Sequence, residues 1–185
     1  MAPDYGQVPS SGVIKMFSRA GRASLLDRKP FTEAFFDGDA PADAAILVSL
    51  VAAAVYVGTL ARVGVLGAFS IADLFRVVIA GVVSWLVLGF ATWFVANRLF
   101  DASSRPQTMI GIQGLAVLPL LLEIFGSAIG GLGLVWYLAI LVVATREATD
   151  LKLRDAGVSV LIGFAVAALF RALLSVPFAA LGALF

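Results

Sequence analysis

The residue that invites a chemical reading is Glu123. It stands in the stretch LPLLLEIFGSAIGGLGLVWYLAILVVA as a single carboxylate in an otherwise uncharged, apolar run. A lone charge at the centre of a bilayer costs roughly 2.5–3.5 kcal/mol on insertion scales. It must therefore be paired, reach the interface, or face a wet cavity. Arg76, Arg171 and Arg62 also fall within apolar segments or at their ends. Two roles suit the set of Arg62, Arg76, Glu123 and Arg171. It lines a polar cavity for a proton, an ion or a lipid headgroup. Or it is structural: an ion pair between helices, with an arginine snorkelling outward. The expectation is that Glu123 pairs with Arg76 or Arg171 inside a helix bundle.

Other chemistries lose their reagents. The chain has no cysteine and no histidine. That removes thiolate nucleophiles, iron–sulfur clusters, His-ligated zinc or haem and a Ser-His-Asp triad. Ser84, Ser127, Ser159 and Ser175 have no histidine to activate them and no obvious lysine partner within a span. GSAIGGLG (126–133) resembles a phosphate loop only faintly; no Lys-Ser/Thr follows it and its surroundings are apolar. A hairpin turn is the better reading. Trp85, Trp93, Trp136 and Tyr137 read as interface or packing aromatics, not as a sugar or nucleic-acid site. No catalytic set, metal or cofactor is expected.

The elements that must position these charges are membrane helices. Of the 185 residues, 61% are hydrophobic and 14% charged. Soluble domains carry about 25% charged residues. Mean hydropathy is +1.02. Long charge-free stretches mark transmembrane segments. Five are expected, at about 44–67, 74–96, 106–125, 127–145 and 156–177. Ser70 is placed to cap the second, with Asp73 in a position like that of a capping box. The nearly 40 residues from Gln107 to Thr145 exceed one crossing, which takes about 20. The chain must fold back once, at 126–133. Either the fourth helix starts near Ser127, or the turn is sunk in the outer leaflet and buried in protein.

Residues 1–42 precede the spans, and 43–185 form the five-helix domain. MAPDYGQVPSSG reads as a disordered tail. The following segment places Val13, Ile14, Phe17, Ala20 and Leu25 on one side of a helix, and Lys15, Arg19 and Arg22 on the other. Such a basic amphipathic helix lies in the membrane interface, with Phe17 and its neighbours down and the cations at the surface. Pro30 suits the first turn of a second short helix carrying Phe31, Phe35 and Phe36. These aromatics either anchor in the interface or pack on the cytoplasmic helix ends.

No apolar core with a cleavage site opens the chain, so insertion through the first span is expected, leaving the N-terminus cytoplasmic. Five spans then place ten basic residues inside: Lys15, Arg19, Arg22, Arg28, Lys29, Arg98, Arg105, Arg146, Lys152 and Arg154. Arg62, Arg76 and Arg171 remain on the outer side, satisfying the positive-inside rule with the C-terminus outside. REATDLKLRDAG (146–157) becomes a cytoplasmic connector. It is either simply solvated or a docking site for a partner or for lipid headgroups.

The order of features resembles a known family. RKPFTEAFF precedes the first span. GIQGLAVLPLLL lies in the third, with Gly114 and Pro119. VWYLAILVVATREATDLKLRDA ends the fourth and opens the fifth, with Trp136, Arg146 and Glu147. Together they resemble the prokaryotic branch of the Yip domain family, relatives of the eukaryotic Ypt/Rab-interacting proteins. The resemblance implies an all-α integral membrane protein, a compact bundle of five transmembrane helices with an amphipathic N-terminal interfacial helix. The GTPase-binding role of eukaryotic members does not carry over, because the Asp-Leu-Tyr-Gly-Pro type element is missing. The expected function is non-enzymatic: a scaffold or accessory subunit binding membrane lipids and a protein partner, or a homo-oligomer, in a prokaryotic inner membrane. The competing expectation is a small transporter or channel using the outer Arg/Glu cluster.

Overall fold

The computed structural model of the chain describes residues 12–182, with side chains described up to 173 except at Val13. The tail expected at 1–12 lies outside the described residues except for Gly12. Every regular element among the described residues is helical: α1 (Gly12–Ser24), α2 (Lys29–Phe35), α3 (Ala40–Val63), α4 (Ile71–Phe100), α5 (Pro106–Gly114), α6 (Ser127–Thr149) and α7 (Leu153–Gly182). A short 3-10 turn spans Leu66–Ala68, and a 3-10 helix spans Leu118–Phe125.

Helices α3, α4, α6 and α7 are each long and apolar enough to cross a membrane. At 1.5 Å per residue the 24 residues of α3 extend about 36 Å, against a hydrocarbon core of about 30 Å. The boundaries follow local chemistry. Gly64, at φ +77°, ends α3 in the left-handed conformation that glycine adopts without a Cβ clash. Ser70 Oγ accepts the Asp73 backbone N–H at 3.3 Å and caps α4, as its position in the sequence suggests. The DGDAPAD segment is not wholly a break: α3 begins inside it at Ala40, with Pro41 in the first turn.

The third span differs from the single helix expected at 106–125. It is two pieces, α5 and the 3-10 helix, bent by 41°. If they count as one crossing, the spans number five. Pro119 supplies the reason. It has no N–H to offer Leu115, and its ring crowds that carbonyl. The chain instead tightens into i→i+3 bonds. Leu115, Ala116 and Val117 donate to Ile112, Gln113 and Gly114 at 3.3, 3.1 and 3.4 Å, and Leu120 donates to Val117 at 3.0 Å. Residues 111–117 are buried in protein. Irregular backbone at membrane depth requires that cover.

The broken span lies in the middle of the bundle. Its α5 half packs on α3, α4 and α6, and its 3-10 half on α3 and α6. α7 closes the far side against α4 and α6. Close approach depends on small residues. A methyl at Gly114 would overlap Ala44 Cβ on α3. The turn expected across 126–133 contracts to Gly126, at φ +110°, and α6 begins at Ser127. Gly130 is already inside α6, against the backbone of Glu123.

Candidate functional site

The four charges singled out in the spans come from four separate elements. Arg62, in the last turn of α3, Arg76 on α4, Glu123 on the 3-10 helix and Arg171 on α7 are all exposed. Among the described residues no ion pair joins Glu123 to Arg62, Arg76 or Arg171, contrary to the expected pairing with Arg76 or Arg171. Similar depth on neighbouring helices does not make side chains face each other; rotation about each helix axis decides that. Arg62 comes nearest to the Glu123 region: its Nη1 would lie 3.7 Å from a Cβ at Gly126. The backbone carbonyl of Glu123 accepts the Gly126 N–H at 3.0 Å and closes that turn.

The N-terminal helices build a more defined arrangement. α1 and α2 run antiparallel and are joined by carboxylates of α2 and its C-terminal extension. Lys15 Nζ donates to Asp37 at 3.2 Å, and Arg19 Nη1 donates to the same oxygen at 2.6 Å. Arg19 Nε donates to Glu33 at 3.2 Å, and Arg22 Nη2 donates to both Glu33 oxygens at 3.0 Å. The Arg19 side chain is 7% exposed. Hydrogen bonding from Arg19 holds the Asp37 carboxyl down at about 2, against the opposing effect of burial; the Asp39 N–H and Lys15 act in the same direction as Arg19. Burial pushes Glu33 upward, but hydrogen bonds and charge from Arg22 and Arg19 outweigh it and leave that carboxyl below its ordinary value.

This hairpin is seated on the bundle. Met16, Ala20 and Ala23 of α1 and Pro30, Phe31 and Ala34 of α2 are buried. α1 packs on α3, the 3-10 helix and α6; α2 packs on α5 and α6. The inward face of α1 is thus Met16, Arg19, Ala20 and Ala23, while Ile14, Phe17 and Leu25 point outward. The aromatics of α2 divide: Phe31 packs inside, and Phe36 is 81% exposed beside Phe35 in an edge-to-face pair. The three cations expected at the membrane surface are engaged by Glu33 and Asp37.

Two polar contacts run from the hairpin to α6, of which the hydrogen bond is the firmer. Trp136 Nε1 donates to the Ser24 carbonyl at 2.9 Å, and Arg28 Nε pairs with Glu147 at 3.4 Å. Of the residues singled out in the third and fourth spans, Trp136 and Glu147 hold the hairpin, Arg146 lines the cleft beside Arg28, and Gly114 and Pro119 form the break. The cleft has a volume of about 390 Å³ and is lined by Arg28, Arg146, Glu147, Asp150, Leu151 and Lys152. A second, of about 440 Å³, lies between the end of α2 and the start of α5, with Phe36, Asp37, Arg105 and Gln107 in its wall.

One polar feature escaped sequence reasoning. Gln113 is 0% exposed at the end of α5. Its Nε2 donates to Thr145 Oγ1 on α6 at 3.3 Å. Its Oε1 is buried with no hydrogen-bond partner among the described residues, as are Trp85 Nε1 and Thr92 Oγ1. A lone amide between Met109 and Leu122, otherwise an apolar stretch, was the available signal.

The class defined by these elements is a multi-pass, all-helical membrane protein with a helical hairpin packed against α3, α5, α6 and the 3-10 helix. Compared with family models, curated proteins and solved structures, the chain matches none.

Proposed function

We propose that the protein acts by association, as a non-enzymatic membrane scaffold or accessory subunit of the Yip type. It binds a protein partner or lipid through its cytoplasmic end. In this reading the N-terminus is cytoplasmic, five crossings leave the C-terminus outside, and the membrane is a prokaryotic inner membrane. One observation carries the reading: the α1–α2 hairpin is packed onto the bundle and hydrogen-bonded to α6 through Trp136. A seated hairpin gives the molecule a pre-organised surface, which lowers the ordering cost of binding. The two mixed-charge clefts and the exposed Phe36 lie on that surface.

The test is purification from native membranes in nanodiscs, with mass spectrometry and native mass determination. A protein retained in fixed stoichiometry, and lost on Phe36→Asp, is the expected result. A chain that comes out alone in wild type overturns the accessory-subunit reading. A specific observation favours transport as the second reading: the central span is broken, and Gln113 is buried beside the break. Transporters place broken helices and polar groups at the midplane. Proteoliposome flux abolished by Gln113→Leu would establish that reading instead.

A further inference from the structure

The cleft at the end of α6 carries both signs of charge, and they come from separate segments. Arg28 belongs to the link between α1 and α2, Arg146 and Glu147 to the last turns of α6, and Asp150 and Lys152 to the connection into α7. Three cations and two carboxylates give a net charge of +1 when all are ionised. A simple phosphate entering here meets Glu147 and Asp150. A simple cation meets Arg28, Arg146 and Lys152. A group with a phosphate at one end and a primary ammonium at the other satisfies both sets.

The existing contacts leave room for such a guest. The pair inside the cleft is Arg28–Glu147, at 3.4 Å with the arginine side chain 59% exposed. An ion pair of that length and exposure contributes little, and it exchanges readily. Guanidinium groups bind phosphate oxygens with two parallel hydrogen bonds, a stronger arrangement. An ammonium brings three donors for the carboxylates. The position also suits a lipid rather than a free metabolite. The cleft opens where α6 ends and α7 begins, and α7 beyond it carries exposed apolar residues, among them Leu153, Val158 and Leu161. Acyl chains have that helix surface to follow.

We infer that this cleft seats the headgroup of an ethanolamine phospholipid, with phosphate at Arg28, Arg146 and Lys152 and ammonium at Glu147 and Asp150. The inference rests on the reading of this end as the cytoplasmic, lipid-facing surface and names its lipid. A seated headgroup bridges Arg28 of the hairpin to the α6–α7 connection, so the lipid also fastens the hairpin.

The test uses the full chain in nanodiscs containing equal parts of ethanolamine, choline and glycerol phospholipids, followed by native mass spectrometry of the released complex. The expected result is retention of ethanolamine lipid over both others by about tenfold, the scale of one charge-assisted hydrogen bond. Asp150→Asn should abolish the discrimination against choline lipid while leaving phosphate binding. Arg146→Gln should weaken retention of all three. Arg171→Gln, on the opposite end of the bundle, should change nothing. Equal retention of ethanolamine and choline lipids by the wild-type protein overturns the inference without any variant being needed. Retention that survives both Asp150→Asn and Arg146→Gln overturns the location. Soluble O-phosphoethanolamine is added in a separate arm; binding it as tightly as the lipid replaces the lipid source with a free metabolite. A co-purifying protein without lipid preference leaves association standing and this inference refuted. A preference without a protein partner leaves this inference standing and overturns the accessory-subunit reading.

Discussion

The indole N–H of Trp136 donates to the backbone carbonyl of Ser24 across 2.9 Å, joining the end of α1 to the middle of α6. That bond fixes where the first helix stops relative to the bundle. Beyond it the chain turns through Leu26, at φ +59°, and Arg28 reaches Glu147. Trp136→Phe keeps a large aromatic and removes the donor. The expected loss is about 1 kcal/mol of hairpin docking, the worth of a typical hydrogen bond. Hydrogen exchange of the α1 amides is the measurement. Exchange should rise roughly fivefold in α1 with the core of α4 unchanged; an unchanged α1 would show that the bond is incidental.

Arg19 carries the hairpin's internal charge balance. Its side chain is 7% exposed and serves two carboxylates, Glu33 and Asp37. Arg19→Gln leaves those acids with only Lys15 and Arg22 as cationic partners. Breaking a fully buried pair costs about 3–5 kcal/mol. Glu33 is 41% exposed and Asp37 19% exposed, so solvent relieves part of that. About 1–2 kcal/mol is the expected loss after that screening. A double-mutant cycle with Asp37→Asn should show coupling of about 1 kcal/mol. Additive losses would mean that the pair contributes nothing specific.

Acid should loosen the same hairpin. The Asp37 carboxyl titrates at about 2 in the folded protein, below its ordinary 3.8. A depressed acid stabilises the fold fully above its unfolded value and loses that contribution as pH falls through the folded one. The window therefore runs from about pH 4 down to about pH 2, and Glu33, also depressed, acts in the same direction. Limited proteolysis between α1 and α2 should accelerate across that window. With Asp37→Asn, the hairpin should already be looser at neutral pH and the acid-dependent change should shrink. A pH profile identical to wild type would remove Asp37 from the account.

What was legible in the sequence divides along physical lines. Hydropathy located the long apolar helices, and Ser70 announced its own cap, because burial in lipid and capping are local properties. The break in the third span was written in Pro119, yet uniform apolarity across Leu118–Leu122 hid it. The positively charged face of α1 was legible, but its partners were not: Arg19 meets Asp37 only once two helices fold back antiparallel. Counting residues along the spans suggests a common level for the Arg62, Arg76, Glu123 and Arg171 charges. Counting does not give the azimuth that would bring Glu123 to Arg76 or Arg171. Gln113 was overlooked because one uncharged amide hardly alters an average.

The contact of Gly114 with Ala44 yields a packing prediction. A methyl at position 114 would overlap Ala44 Cβ and sit 3.2 Å from Trp85 Nε1. Gly114→Ala should destabilise the bundle by about 1–3 kcal/mol through overpacking, despite alanine's better helix propensity. Thermal unfolding in a mild detergent reads the loss. Ala44→Gly in the same chain should recover only part of it, because the Ala44 Cα and Trp85 Nε1 approaches remain and glycine inside α3 costs about 1 kcal/mol. A variant as stable as wild type would mean that α3 and α5 have slack at this level.

Gln113→Leu separates a structural role for the buried amide from transport. Leucine fills a similar volume, discards an oxygen that has no partner among the described residues, and loses the 3.3 Å bond to Thr145. An unsatisfied buried acceptor costs about 1–3 kcal/mol, and the bond contributes about 1. Without the amide, Thr145 Oγ1 loses its donor, but its hydroxyl can still donate to the carbonyl four residues back in α6. The exchange should leave thermal stability unchanged or raised by about 1 kcal/mol, with native partners still bound. A drop beyond about 2 kcal/mol would mean that Oε1 is satisfied in the membrane, most simply by a bound water. A stable variant that loses flux would give Gln113 a part in transport, because an amide that packing does not need is then needed by whatever passes.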